Sequence, residues 1–593
     1  MSIAKEQRHA STPAIEIPFG TVAEAFQSAV ERYGDRVAMR TRNDEISWTW
    51  EEYGERVRAF AAGLAALGVG RGSTVATMLT NRPEFHVADA AALHLGAVPW
   101  SIYNTYPADQ VAHLLRDSQS QVVVTEQALL PVVREAAQDA GVAHVVVVDG
   151  EAADGILAVD DVVSGADAGF DFDAAWRAIQ PDDIVTIIYT SGTTGPPKGV
   201  QITHANVVAT TVAYAHVWKL PDAPHIVSWL PMAHIAERLV SHYTPMIFGG
   251  TVTSCPDGRQ VAAYLPEVRP HYFFGVPRIW EKLKAGLEAK LQAGDEETRR
   301  AVERAIEAGR RRVREGTGVS EEHERVLAGL RRTLGLDRAT MTSVGAAPCP
   351  VEVIEFFLAL GIPLGEVYGG SEGTGAATLN PPEAIKVGTV GPPLPGFEVR
   401  IADDGEILVR GPNIMAGYRN NPEATAEAVD ADGWLHSGDI GELGEDGYLK
   451  IVDRKKELII NAAGKNMSPA NIEAALKASS PLIDQAVAIG DRRPYNVALV
   501  TLEPAAAGEF AKRHGLRDAS VAALASEQAV LDEVARGVEH ANERLSRPEQ
   551  IKRFRIVPEE WHPGGDELTP TSKLKRKPIA EKYAEDIEAL YAR

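Results

Sequence analysis

The sequence predicts an α/β fold: a large N-terminal domain of helix-flanked sheets with a small β-barrel-like subdomain, followed by a small α+β C-terminal domain. Three observations predict it. The runs Gln121–Thr125 and His144–Val148 are apolar on both faces and separated by helical patterns, as parallel strands covered on two sides require. Between residues 385 and 453 the apolar segments shorten and glycine-rich turns multiply, the spacing of a small antiparallel sheet or barrel. After Arg454 helical and strand patterns resume as a separate unit. The predicted domains are 1–453 and 454–593.

The elements follow in chain order. Thr49 and Glu52 have capping-box spacing, and Tyr53, Val57, Phe60, Leu64 and Leu67 recur at helical intervals until Gly68 ends the run. A β-type run, Ser73 to Leu79, precedes a helix opening at Pro83. The stretch 283–340 is a charged helical insertion, with Glu-Glu-Thr-Arg-Arg at 296–300 and Arg-Arg-Arg-Val-Arg at 310–314. Its composition reads as solvated, with a lipid-surface or partner contact as the alternative. In the β-rich subdomain, Gly405–Gly411 and Glu445–Val452 read as strands with their turns. Ser468 and Pro469 are placed to be N-cap and first residue of a helix, with strands near 486 and 498. No internal repeat is evident.

Composition excludes several functions. The 593 residues are 45% hydrophobic and 24% charged, a globular composition rather than a disordered or fibrous one. With 60 basic against 82 acidic residues the net charge is −22, the wrong sign for a general binder of nucleic acid or anionic membrane. Any anionic substrate needs a local cationic or amide-lined site. Cys255 and Cys349 are the only cysteines, too few for a disulfide framework or a four-thiolate metal site, and a reducing compartment is expected. Residues Met1 to Arg8 lack a signal-peptide core, and no stretch reaches about 18 apolar residues. The expectation is a soluble, cytoplasmic protein, with peripheral membrane contact left open and the oligomeric state unspecified.

The richest local signal is Ile-Ile-Tyr-Thr-Ser-Gly-Thr-Thr-Gly-Pro-Pro-Lys-Gly-Val at 187–200. Ile187 to Tyr189 close a strand. Hydroxyls at Thr190, Ser191, Thr193 and Thr194, glycines at 192, 195 and 199, and the charge of Lys198 then compose a polyphosphate cradle. It is not a Walker A loop, because Pro197 replaces the second glycine and Gly199 the final hydroxyl residue.

Tyr-Thr-Ser-Gly-Thr-Thr-Gly-x-Pro-Lys-Gly resembles the phosphate loop of adenylate-forming enzymes, the superfamily of acyl-CoA synthetases, luciferases and peptide-synthetase adenylation domains. Further segments resemble that family in the same order: 230–238, 274–282, 345–348, 367–373, 436–439, 453–457 and 568–576. The wording of Ala-His-Ile-Ala-Glu-Arg, Val-Pro-Arg-Ile-Trp-Glu-Lys and Leu-Thr-Pro-Thr, with the charged insertion, is most similar to long-chain fatty acyl-CoA synthetases.

The resemblance implies that a carboxylate is joined to the α-phosphate of ATP, and that coenzyme A, the co-substrate, then displaces AMP. It implies Mg²⁺ on Thr190 and Glu372, phosphates on the loop Thr190–Gly195 with Ser191, Gly192, Thr193 and Thr194, and on Lys198. Gly345, Ala346 and Ala347 would line the base pocket, Tyr368 would stack on adenine, and Gly369 and Ser371 would be among the nucleotide-binding residues. Asp439 would accept the ribose hydroxyls, Arg454 would sit by ribose or phosphate, and His234 would shape the acyl-carboxylate pocket. Lys573 would reach the carboxylate and α-phosphate. The C-terminal domain would be mobile about a hinge near Lys456, with Gly464 beside the pantetheine channel.

Alternatives within the superfamily are an aryl- or medium-chain ligase, or an acyl-AMP ligase that loads a carrier protein. Outside it, Gly369-Gly370-Ser371-Glu372-Gly373 fits the G-x-S-x-G of a serine esterase using Ser371 with His436 or His562, but no helical pattern follows. His234, Glu237 and His242 lack H-E-x-x-H, and a non-catalytic nucleotide-binding relative would not need Thr190, Glu372, Asp439 and Lys573 together.

Overall fold

The β-branched runs become neighbours in one eight-stranded sheet. Its order is Gly417–Tyr418, Lys198–Thr203, Ile184–Thr190, Val98–Ser101, Thr74–Met78, Ser120–Thr125, His144–Val147 and Ile156–Ala158. From Ile184–Thr190 onward the strands pair in parallel. Val75, Val122 and Val124 point into one core while Ala76, Met78 and Val123 point into another, which is why these strands carry no polar face. The computed structural model describes residues 9–153, 155–190, 197–455, 457–460, 466–570 and 572–592.

Helix Trp50–Ala66 starts at the predicted capping box. Glu52 N donates to Thr49 Oγ1 at 3.2 Å and Thr49 N donates to Glu52 Oε2 at 2.9 Å, an arrangement that contributes about 1 kcal/mol. Trp50, Tyr53, Val57, Phe60 and Leu64 are buried. Helix Pro83–His94 opens on the expected proline.

Two smaller mixed sheets follow the order His225–Ser228, Thr251–Ser254, Val37–Arg40, Ser47–Thr49, and Tyr272–Gly275, Met341–Val344, Leu364–Gly370, Gly375–Leu379. The charged stretch folds as helices Pro277–Gln292, Glu296–Glu315 and Glu321–Leu334. It is solvated on one face only. Val302, Ala305, Ala308 and Gly309 are buried, and a Cβ on Gly309 would stand 2.0 Å from the Ala359 carbonyl oxygen. In Glu296–Glu315 mostly small residues do this packing, while Leu283, Leu287, Leu327, Leu330 and Leu334 are buried on the two flanking helices.

The barrel-like region is a five-stranded antiparallel sheet, ordered His9–Ser11, Glu398–Ile401, Glu406–Arg410, Leu435–Leu443, Leu449–Arg454. Its first strand comes from the opposite end of the chain. From Ile459 onward, helices surround a three-stranded sheet of Ile483–Ile489, Asn496–Leu502 and Ile551–Ile556. Ser468 caps helix Pro469–Ser479, its hydroxyl accepting from Asn471 N at 3.0 Å. Two hydrophobic clusters consist entirely of residues from this segment. It meets the rest through Arg278–Asp484 at 2.8 Å and Arg544–Glu352 at 3.7 Å. Among the described residues no helix is long and apolar enough to cross a membrane.

Two histidines in the main core make stability depend on pH. His94 lies against Phe26 and Phe172, and His204 Nδ1 accepts from Val22 N at 3.2 Å. Burial pushes their pKa values down to about 4 and about 3. The unfolded chain, with histidines near 6.5, therefore binds more protons below about pH 6.5, and stability falls as pH drops toward 4. The slope is about 1.4 kcal/mol per pH unit for each such histidine. Unfolding midpoints at pH 7 and pH 5 should show the loss, and a pH-independent midpoint would contradict it.

Candidate active site

Thr190 ends one strand and Lys198 starts its antiparallel return, the two paired in register with Thr190 Oγ1 donating to the Lys198 carbonyl at 3.5 Å. Thr190 therefore stands at the carboxyl end of the parallel strands, where open α/β sheets take their ligands. Ser191, Gly192, Thr193, Thr194 and Gly195 lie outside the described residues, as do Lys456 and Gly464. Beside the loop, Lys198 Nζ sits 4.9 Å from the centre of the Tyr418 ring, and the Tyr418 hydroxyl donates to Glu372 Oε1 at 2.9 Å. Tyr418 was not singled out in the sequence. Its only local signal is the Gly417-Tyr418 pair amid glycine-rich turns, and its strand partner is more than 200 residues away.

Gly345, Ala346 and Ala347 follow strand Met341–Val344, next to the strand carrying Tyr368 and Gly369. A Cβ on Gly369 would lie 2.0 Å from the Gly375 carbonyl oxygen, so glycine is required where the chain doubles back. Ser371 opens a short 3-10 turn, Ser371–Gly373, and the strand Gly375–Leu379 follows. A nucleophile elbow needs a helix there, so the esterase reading has no scaffold.

Tyr368 donates its hydroxyl to Asp439 Oδ2 at 2.8 Å. Asp439 and Arg454 are cross-strand partners, with Arg454 Nε 3.5 Å from Asp439 Oδ1. Burial raises the Asp439 pKa above the usual carboxylate range, against the pull of Arg454, Tyr368 and Lys573. Burial, then the Asp439 charge, raises the Tyr368 phenol too.

Lys573 comes from the C-terminal segment. A tight turn presents it: Thr569 N donates to the Lys573 carbonyl at 2.8 Å, Lys573 N donates to Thr569 Oγ1 at 3.0 Å, and Ser572 adopts φ +60°. Arg576 anchors the turn on Glu457 at 3.0 Å and Glu473 at 2.6 Å. The Lys573 residue is solvent-exposed. Desolvation, then Arg454, holds its ammonium below the usual lysine range, and Asp439, Glu372 and Glu457 oppose the shift.

His234 faces the same lysine. Its Nδ1 accepts from Ala236 N at 3.3 Å, which leaves the proton on Nε2. Burial and then Lys573 push its pKa down to about 4, so the ring is neutral near pH 7. Behind it the chain enters a π-helical turn, Arg238–Tyr243, a geometry frequent at functional sites. Arg238 is fully buried. It donates from Nε to the Met232 carbonyl at 3.1 Å and from Nη2 to Ser101 Oγ at 2.9 Å, and it pairs with Asp89 at 2.7 Å. His242 Nε2 lies 2.8 Å from the other Asp89 oxygen. His242 thus belongs to a buried polar cluster. Among the described residues no group of three or more His, Cys, Asp or Glu side chains could hold a metal.

Mg²⁺ fits the residues present in a different way. Glu372 gives Oε1 to Tyr418, and Gly370 puts no side chain over Oε2, where a Cβ would stand 3.4 Å away. A hard cation held by one carboxylate, the Thr190 hydroxyl and substrate phosphates suits that donor set.

The AMP-binding enzyme family model matches residues 26–419, and the AMP-binding enzyme C-terminal domain model matches residues 456–593. The chain is 49% identical over 453 residues to the "Putative fatty-acid--CoA ligase fadD11" of Mycobacterium tuberculosis, spanning 74% of this chain and 79% of that one. It is 36% identical over 571 residues to the long-chain-fatty-acid--CoA ligase FadD15 of Mycobacterium bovis, 92% of each. The solved adenylation domain of a carboxylate reductase from Mycobacterium chelonae shares the fold, with TM-score 0.76 at 23% identity over 98% of this chain and 92% of that chain. With both models matched in order and the relatives spanning most of its length, the chain belongs to the AMP-binding enzyme family.

Proposed function

We propose that this enzyme activates a fatty acid, long-chain by preference, to acyl-AMP with release of pyrophosphate, and then passes the acyl group to coenzyme A with release of AMP. The observation that carries the reading is the proximity of Lys573, from the C-terminal segment, to Glu372, Asp439, Arg454 and His234. The relatives named as fatty-acid--CoA ligases support the choice of substrate.

In the first step a carboxylate oxygen attacks the α-phosphorus and pyrophosphate leaves. Negative charge gathers on oxygens that must be held close, and preorganised donors lower that barrier. Lys573 spans the carboxylate and α-phosphate as a flexible point charge. His234 offers its Nε2 proton to the other carboxylate oxygen. Asp439 takes the ribose hydroxyls, Tyr368 and the strip Gly345–Ala347 hold the base, and Lys198 with the loop holds the phosphates. Mg²⁺, held by Glu372 and Thr190, would neutralise phosphate charge when bound.

In the second step the thiol of coenzyme A adds to the acyl carbon and AMP departs with one of the original carboxylate oxygens. The thiol needs the space Lys573 occupies. The C-terminal domain, 454–593, therefore turns on the 1–453 domain about Lys456, and Gly464 keeps the pantetheine path clear. Lys456→Pro is expected to form acyl-AMP near the wild-type rate and to lose about 10²-fold in thioester formation, the cost of a misplaced reacting group. Equal loss of both half-reactions in folded protein would remove the hinge from the account.

The substrate assignment is tested by incubating the protein with ATP, Mg²⁺ and acids of two to eighteen carbons plus benzoate, with and without coenzyme A. Mass spectrometry then reads AMP, acyl-AMP and acyl-CoA. Long-chain acyl-CoA formed only with coenzyme A is the expected result. Acyl-AMP that accumulates whatever the coenzyme A would overturn the acceptor, and untouched ATP would overturn the activity.

A further inference from the structure

Tyr418 touches two of the groups assigned to the triphosphate and belongs to neither of their segments. Its backbone is tied on both sides. Strand Gly417–Tyr418 pairs with Lys198–Thr203, with Val200 opposite Tyr418. Ala416 N donates to the Gln201 carbonyl at 2.9 Å and Arg419 N to the Gly199 carbonyl at 2.7 Å. On the other side, Met415 N donates to the Glu372 carbonyl at 2.9 Å. The segment 415–419 is thus a splint between the return strand of the phosphate loop and the turn that carries Glu372.

The side chain repeats the pattern. The Tyr418 hydroxyl donates to Glu372 Oε1 at 2.9 Å, and the ring lies 4.9 Å from Lys198 Nζ. Tyr418 N donates to Thr425 Oγ1 at 2.9 Å, which fixes the strand end from which the ring projects. A carboxylate with one oxygen held by a phenol has its plane and its remaining oxygen defined before any ligand arrives. The cation over the ring keeps the phenol in place.

We infer that Tyr418 is a positioning residue that locks Glu372 and Lys198 into one unit, aiming the free oxygen of Glu372 at the cation carried by the nucleotide triphosphate. This rests on the assignment of Glu372 and Lys198 under the proposed function. Hydrogen-bonding partners of ligating carboxylates commonly set metal affinity, and their loss costs about 10- to 100-fold.

The test compares wild type with Tyr418→Phe, which keeps the ring and removes the hydroxyl, and with Tyr418→Leu, which removes both. Binding of Mn²⁺ to the complex with a non-hydrolysable ATP analogue is read by electron paramagnetic resonance, without fatty acid. In parallel, the Mg²⁺ concentration for half-maximal acyl-AMP formation and the KM for fatty acid are measured. Thermal unfolding checks that each variant is folded. The expected result for Tyr418→Phe is Mn²⁺ affinity and Mg²⁺ half-saturation both weaker by about 10-fold or more, with the fatty-acid KM unchanged. Tyr418→Leu should weaken analogue binding further because Lys198 loses its brace. A merely structural role would move the fatty-acid KM and the metal terms together, and that outcome would overturn the inference. So would Tyr418→Phe with wild-type metal affinity. Failure of the functional reading looks different: wild type would bind the Mn²⁺–nucleotide complex in a Tyr418-dependent way yet make no acyl-adenylate, which supports the positioning role while removing the reaction assigned to the site.

Discussion

Lys573→Ala lowers the rate of acyl-adenylate formation by about 10²- to 10³-fold, the loss expected when one preorganised charge at a developing oxyanion is removed. The same variant is expected to convert supplied acyl-AMP and coenzyme A to acyl-CoA near the wild-type rate, because under the proposed domain rotation the lysine leaves the site before the thiol enters. Lys573→Arg does not rescue the first step. The turn that presents Lys573 is closed by Thr569 and anchored by Arg576 on Glu457 and Glu473, and a planar guanidinium does not substitute for a flexible point charge. Pyrophosphate release in a single turnover measures the first step and acyl-CoA from supplied acyl-AMP measures the second. Equal losses in the two assays would contradict the role.

Asp89→Ala destabilises the fold by about 3–5 kcal/mol, because it strands the fully buried Arg238 guanidinium without its counter-charge. Burial alone would raise the Asp89 pKa, but Arg238 and then His242 pull it down to about 2, so the pair is charged at every working pH. Replacing both partners, as Asp89→Leu with Arg238→Met, removes the stranded charge and recovers most of the stability. It does not recover function: the Met232 carbonyl has lost the Nε donor that holds the loop before His234. Thermal unfolding and the fatty-acid KM separate the two effects. A double variant with both wild-type stability and wild-type KM would show that the cluster serves packing alone.

The two predictions differ in how visible their residues were beforehand. Lys573, Glu372, Asp439 and Tyr368 stand in short contiguous segments, since phosphate and ribose recognition needs particular side chains on particular tight turns, and such turns are local in sequence. The strands Ser120–Thr125 and His144–Val147 were legible because burial on two faces leaves an unbroken apolar run. The Asp89–Arg238–His242 cluster was not, because its members are neutralised by one another across about 150 residues of chain. Read singly, each is an ordinary polar residue. Strand His9–Ser11 and Tyr418 escaped for the same reason: their pairing partners, Glu398–Ile401 and Lys198–Thr203, carry the information. The helix Glu296–Glu315 shows the opposite difficulty, a composition rich in charge whose buried side is made of one valine, two alanines and a glycine.

The most direct test of the account uses a sixteen-carbon fatty acid labelled with ¹⁸O in both carboxylate oxygens, with ATP, Mg²⁺ and coenzyme A. If the carboxylate attacks the α-phosphate, the AMP released carries one ¹⁸O per turnover and the acyl-CoA retains the other. AMP that leaves without label while acyl-CoA forms would show that no acyl-adenylate lies on the path, and would contradict the chemistry assigned to the groups around Lys573.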